Sequence, residues 1–187
     1  MSSAEDGAAV SHEDYMRWEL EQQTQRLMAA LHLAREGETD WESLRYMMGR
    51  NELPDLLSFV WWRLPHHQLV IAVGDVWTGA EFPERTYRRT EWLPMFRTAG
   101  YHVDDEPATP PDSITLWRGG VKKTRMAWTA DRERAEWFQH RFDAIKPGKL
   151  WTITVGPDRL LAHYHEKHRR ENEYVIDPTG IRPKEIR

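Results

Sequence analysis

The chain of 187 residues contains no cysteine, so disulfide bridges and thiolate-based zinc sites are excluded together. Met1 to Val10 lack a basic segment followed by an apolar run. No stretch approaches the roughly 20 consecutive apolar residues of a membrane span. A cytoplasmic protein without a membrane partner is therefore expected. Excess positive charge is missing too: the net charge is -4 and the pI is near 6.1, which argues against nucleic acid as the main partner, since phosphate neutralisation needs a basic surface. Three motifs of common enzyme classes are absent: a phosphate-cradling Gly-rich loop before a helix, a Gly-x-Ser-x-Gly elbow and an internal repeat.

What is present divides in two. Residues 1–10 read as a disordered tail and residues 11–102 as a helical region. Ser11 with Asp14 marks a helix start, and Leu20, Leu27 and Leu31 form its apolar stripe before Gly37 stops it. Asp40 can cap a second helix with Trp41, Leu44 and Met48, and Asn51 can start a third through Leu56, Phe59, Val60 and Leu64. Residues 67–77 fit a helix or a buried strand equally. A last helix runs from Thr90 to Gly100, and 103–112, rich in Asp and Pro, reads as a linker. Trp41, Trp61, Trp62, Trp77 and Trp92 are expected to be packing residues.

Residues 113–187 carry the chemistry. Ser113 to Trp117 alternate as a half-buried strand does, which puts Arg118 at a strand end before Gly119 and Gly120. A guanidinium fork there suits phosphate or ribose oxygens, or a structural carboxylate. Ala127-Trp128-Thr129 precede a segment of helical period with Ala135, Phe138 and Phe142, capped by Thr129 or Asp131. Glu171-Asn172-Glu173 open the strand-forming run Tyr174-Val175-Ile176, with both carboxylates on one face. Such a pair can divide two tasks, stabilising positive charge on a sugar and handling a nucleophile; a solvated charge run is the plainer reading.

Together, residues 113–178 resemble the R-S-E class of mono-ADP-ribosyltransferases, the cholera-toxin-like group that uses NAD. The resemblance implies an α+β fold, with a mixed β-sheet catalytic core at 113–187 forming one compact unit with the helices before it. It implies NAD as substrate and an unidentified target protein as acceptor. It also implies that Arg118, Gly119, Trp128 and Thr129 bind NAD, that Glu173 is the catalytic carboxylate, and that Glu171 favours transfer to arginine. The loop from His163 to Arg170 then corresponds to the acceptor-reading segment. A small transferase of this kind fits a bacterial or phage toxin or host-takeover factor.

One position departs from the family pattern. Ala127 stands where the family has the serine that positions the catalytic glutamate, and alanine has no hydroxyl to donate. Either Thr129 supplies the hydroxyl, or activity is weak, or the chain is an NAD- or protein-binding module without catalysis; an NAD glycohydrolase that uses water as acceptor is a further reading. Retained activity is favoured because Arg118 and both glutamates are present. The spacings of His66 with His67, and of His163, His165 and His168, suit transition metals, but a polar loop edge explains them as well and no metal site is expected.

Overall fold

A computed structural model of the chain describes residues 11–165 and 172–186. Among the described residues, seven α-helices come mostly before the strands. They are α1 (His12–Arg35), α2 (Trp41–Arg45), α3 (Leu53–Val60), α4 (His66–Gly79), α5 (Pro83–Thr86), α6 (Arg89–Ala99) and α7 (Arg132–His140). Local chemistry sets their starts. Ser11 caps α1 by accepting from the Asp14 amide at 3.1 Å, Asp40 caps α2 by accepting from Ser43 at 2.9 Å, and Asp131 caps α7 by accepting from Arg134 at 3.1 Å. The third helix starts at Leu53, two residues after Asn51, and has no side-chain cap, since the carboxylate of its N-cap residue Glu52 accepts from Arg26 and from the Gly49 amide instead. Residues 67–77, open between helix and strand, belong to α4. Every residue of α4 from Val73 to Gly79 is buried, and a helix with no polar face has to lie inside the protein.

Eight strands form one sheet in the order β2-β1-β6-β7-β4-β3-β5-β8. These are β1 (His102–Val103), β2 (Glu106–Pro107), β3 (Ile114–Gly120), β4 (Ala127–Thr129), β5 (Lys149–Val155), β6 (Leu160–Tyr164), β7 (Glu173–Ile176) and β8 (Lys184–Ile186). All neighbours are antiparallel except β1 and β6. The mixed α and β content agrees with the expected class. The stretch expected as a linker, 103–112, begins inside the sheet: β1 and β2 make its far edge, Asp104 and Asp105 form their turn, Pro107 belongs to β2, and Pro110, Pro111 and Asp112 follow it. Arg118 also differs from expectation, since β3 continues past it, with Gly119 opposite Leu150 and Gly120 opposite Lys149.

Two cores hold the layers. The larger one joins the helices to one face of the sheet, through Trp41, Leu56, Trp77, Trp92 and Phe96 on one side and Ala162, Tyr164 and Val175 on the other. The smaller one gathers Leu116, Trp151 and Ile153 of β3 and β5 with Trp128, Leu160 and Ile176 of the other strands. Alternation along β7 sends Val175 to the larger core and Ile176 to the smaller, whereas in β6 a register shift puts both Leu161 and Ala162 in the larger one. Leu20 takes no part in either and is 64 % exposed, because α1 meets the other helices only through its second half, at Leu27, Ala30, Leu31 and Ala34. Trp62 and Phe142 are likewise exposed, and α7 ends before Phe142.

Close approach of α7 to β3 demands a glycine. A Cβ on Gly119 would collide with the Ala135 carbonyl oxygen and the Gln139 amide nitrogen, both backbone atoms that cannot swing away. Gly119→Ala is therefore expected to destabilise the protein by about 1–3 kcal/mol or more in urea unfolding. Gly156→Ala, at φ -95 and in ordinary contact distance of its neighbours, should leave the midpoint unchanged or slightly higher.

The Arg26 fork holds the Glu52 carboxyl below its ordinary value of 4.5. At Asp177, burial alone would raise the value, but the Thr179 amide and Arg97, at 2.6 Å, outweigh it and lower it below 3.8. Both groups bind protons more weakly folded than unfolded. Their stabilisation is thus present above the unfolded values and lost as pH falls through the folded ones. Stability should decline on acidification below about pH 4.5, and Glu52→Gln should flatten that decline in a series of thermal melts at stepped pH.

Candidate active site

The sheet is nearly divided in the middle. β3 shares seven residue pairs with β5 but only Trp117 with Thr129 across to β4. A continued ladder would bring Gly119 opposite Ala127. Instead Arg118 reaches across, donating from Nη1 to the Ala127 carbonyl at 2.5 Å and from Nε to the Lys122 carbonyl at 3.0 Å. The side chain thus supplies the hydrogen bonds that the diverging backbones cannot make, and a cleft opens where they part.

That cleft has a volume of about 490 Å³. Its walls come from α5 with the turn before it, from β3 and the loop to β4, from α7 and the residues after it, and from Glu173 at the start of β7. Trp117, Phe82, Phe138 and Phe142 provide flat apolar surface. Six cationic side chains line it, Arg85, Arg118, Lys122, Arg125, Arg141 and Lys146, against the three carboxylates Glu81, Glu84 and Glu173. In a chain of net charge -4 this is a local reversal of sign, suited to an anionic ligand with planar parts.

Burial lowers the Arg118 pKa to about 10, opposed by Glu84 and Glu173 and reinforced by Arg125. The guanidinium remains charged at neutral pH. The loop from β3 to β4 is clamped from the helical side: Glu84 accepts from the Met126 amide at 3.0 Å and lies 3.7 Å from Arg125, and Arg89 donates to the Thr124 carbonyl at 2.6 Å.

Glu173 enters the cleft from the other half of the sheet. It stands between Thr129 on β4 and Tyr164 on β6 in the register, and its Oε1 accepts a hydrogen bond from the Trp77 indole Nε1 on α4. The Thr129 hydroxyl accepts from the Asp131 amide at 3.1 Å, so that oxygen helps turn the chain into α7. Ala127 faces the cleft beside Thr129 and presents only a methyl group.

Arg118, Gly119, Trp128, Thr129 and Glu173, separated by up to 55 positions in the chain, all border this one cleft. Their parts differ. Trp128 is 2 % exposed, with its ring in the smaller core and its Nε1 on the Arg125 carbonyl at 2.8 Å, so it backs the wall. The contribution of Gly119 is the absent Cβ that lets α7 approach. Glu171 and the acceptor-loop residues 166–170 lie outside the described residues. Of the histidines, His163 is stacked on Tyr174 at 3.9 Å and bonds Asn172 at 2.7 Å.

Sequence reasoning missed Trp77 as a site residue, and Glu84 and Arg125 altogether. Trp77 has the signature of a core residue and is one. Glu84 meets its partner 42 positions away, with no local pattern to announce it. Comparison with protein-family models, with curated proteins and with solved structures finds no match to this chain. Among the described residues, no helix is long and apolar enough to cross a membrane.

Arg118→Lys keeps a charge but cannot span both carbonyls. Leaving one of them unsatisfied should cost about 1–3 kcal/mol, measured by chemical denaturation beside Lys122→Arg as a surface control.

Proposed function

We propose that the chain is a mono-ADP-ribosyltransferase that cleaves NAD at the nicotinamide glycosidic bond and transfers ADP-ribose to a protein side chain. The observation that carries this reading is the convergence of Arg118, Thr129 and Glu173, from three separate strands, on one cleft with cationic and aromatic walls. Its volume of about 490 Å³ falls within the roughly 300–1,000 Å³ of small-molecule and cofactor sites. A dinucleotide asks for what the lining offers: positive charge for a pyrophosphate, flat side chains for two ring systems, and a carboxylate near the reacting sugar.

The proposed reaction uses that carboxylate electrostatically. As the bond from ribose C1′ to the nicotinamide nitrogen breaks, its electron pair leaves with nicotinamide and neutralises the pyridinium charge. Positive charge then passes to C1′ and the ring oxygen, and the Glu173 carboxylate, held at the cleft by its strand, stabilises it. An acceptor nitrogen attacks C1′ and loses a proton. The family resemblance favours arginine as acceptor, through Glu171. Arg118 keeps its charge throughout, holding the phosphate or ribose oxygens while the sugar reacts.

Purified protein should release nicotinamide from NAD and label proteins in a bacterial lysate supplied with labelled NAD. Glu173→Gln should lower both by about 100-fold or more in a protein that still folds and still binds NAD. Normal labelling by that variant would remove Glu173 from the mechanism. Nicotinamide release without labelled protein would make the chain a glycohydrolase.

A further inference from the structure

We infer that Trp77, on α4 in the helical layer, is the positioning residue for the Glu173 carboxylate, doing from across the core what a residue without a donor at 127 cannot do from the neighbouring strand. This rests on the transferase reading for the role of Glu173, but not for the contact itself. The indole Nε1–H is a donor with no acceptor capacity, and in a fully buried ring it needs a partner; that partner is Glu173 Oε1.

The ring has little freedom to turn away. Trp92 packs edge-on at 5.0 Å and Phe96 at 5.2 Å, both completely buried on α6, and α4 is enclosed on all sides at this level. The two neighbours of Glu173 in the sheet also serve the local fold. The Thr129 oxygen accepts from Asp131, and the Tyr164 hydroxyl lies 2.8 Å from His102 Nε2. A rigid, dry donor of this kind fixes one carboxylate oxygen and favours the ionised form.

The charged and titratable groups around Glu173 bear on any pH effect. Arg118 on β3 favours the carboxylate, and Glu84 on α5, a second carboxylate lining the cleft, shares that cation with it. Tyr164 on β6 interacts with it and is itself pushed well above 10 by burial, so it stays neutral. Asp75, two residues before Trp77 on α4, is engaged by Trp41 at 2.9 Å and Arg45 at 3.6 Å. Losing the indole donor leaves this setting otherwise intact.

Two measurements decide the matter. In the folded wild-type protein, the Trp77 indole 15N–1H resonance, assigned with Trp77→Phe, should follow a single carboxylate titration that is absent in Glu173→Gln. In turnover of NAD, Trp77→Phe should lower kcat by about tenfold or more, leave KM within about threefold and move the acid limb of the kcat profile upward by about half a pH unit or more. An indole signal indifferent to Glu173 would overturn the contact, because the titration itself is followed in the wild-type fold. An inert Glu173→Gln beside a Trp77→Phe with wild-type kcat and acid limb would overturn the positioning role and leave the transferase reading standing. Absence of nicotinamide release from the wild type would defeat that reading, and the positioning role with it.

Discussion

A single residue pair, Trp117 with Thr129, joins the two halves of the sheet, and the Arg118 guanidinium makes the seam tolerable. Burying a guanidinium is costly unless its protons are met and its charge is balanced. Here the Ala127 and Lys122 carbonyls meet it, and Glu84 and Glu173 supply the opposing charge. The cleft exists because the two strands part. The same side chain that holds them together at the seam is thereby aimed at whatever occupies the gap, which is why it serves structure and proposed ligand binding at once.

The helical layer is tied to this arrangement by long-range polar contacts as well as by apolar packing. Trp77 reaches Glu173, Glu84 reaches the Met126 amide, and Arg97 reaches Asp177 just after β7. Each bridges a helix and the strand region, and two of the three end at the cleft. A helix packed only by apolar contacts can slide by fractions of an ångström at little cost, but a directional bond to a buried carboxylate cannot. The α5 wall, and α4 behind Glu173, are consequently held in register with the strands that carry Arg118 and Glu173.

Residues near in sequence declare themselves well. The caps at Ser11 and Asp40, the stop at Gly100 and, as one of two candidates beside Thr129, the cap at Asp131 were legible because capping needs partners only two or three positions away. The order of Arg118, the Ala-Trp-Thr segment and the glutamates was legible too, as was a strand beside each. Leu20 and Phe142 were misplaced for the opposite reason: periodicity marks an apolar stripe, yet only the neighbouring elements decide whether something covers it. For 67–77, periodicity fitted two structures, and burial on all sides made the difference.

By itself, then, the sequence determined where several helices begin, the mixed α and β content, the absence of any thiol chemistry, and the residue types from which a site could be built. Only the tertiary structure decided that Arg118 spans a seam instead of ending a strand, that Gly119 has to admit a helix backbone, and that Trp77, 96 positions from Glu173, is its hydrogen-bond partner. The reason is physical. Capping and alternation are local and recur with fixed spacing. A contact between a helix and a strand far apart in the chain depends on how layers settle against one another, and no spacing in the sequence encodes that distance.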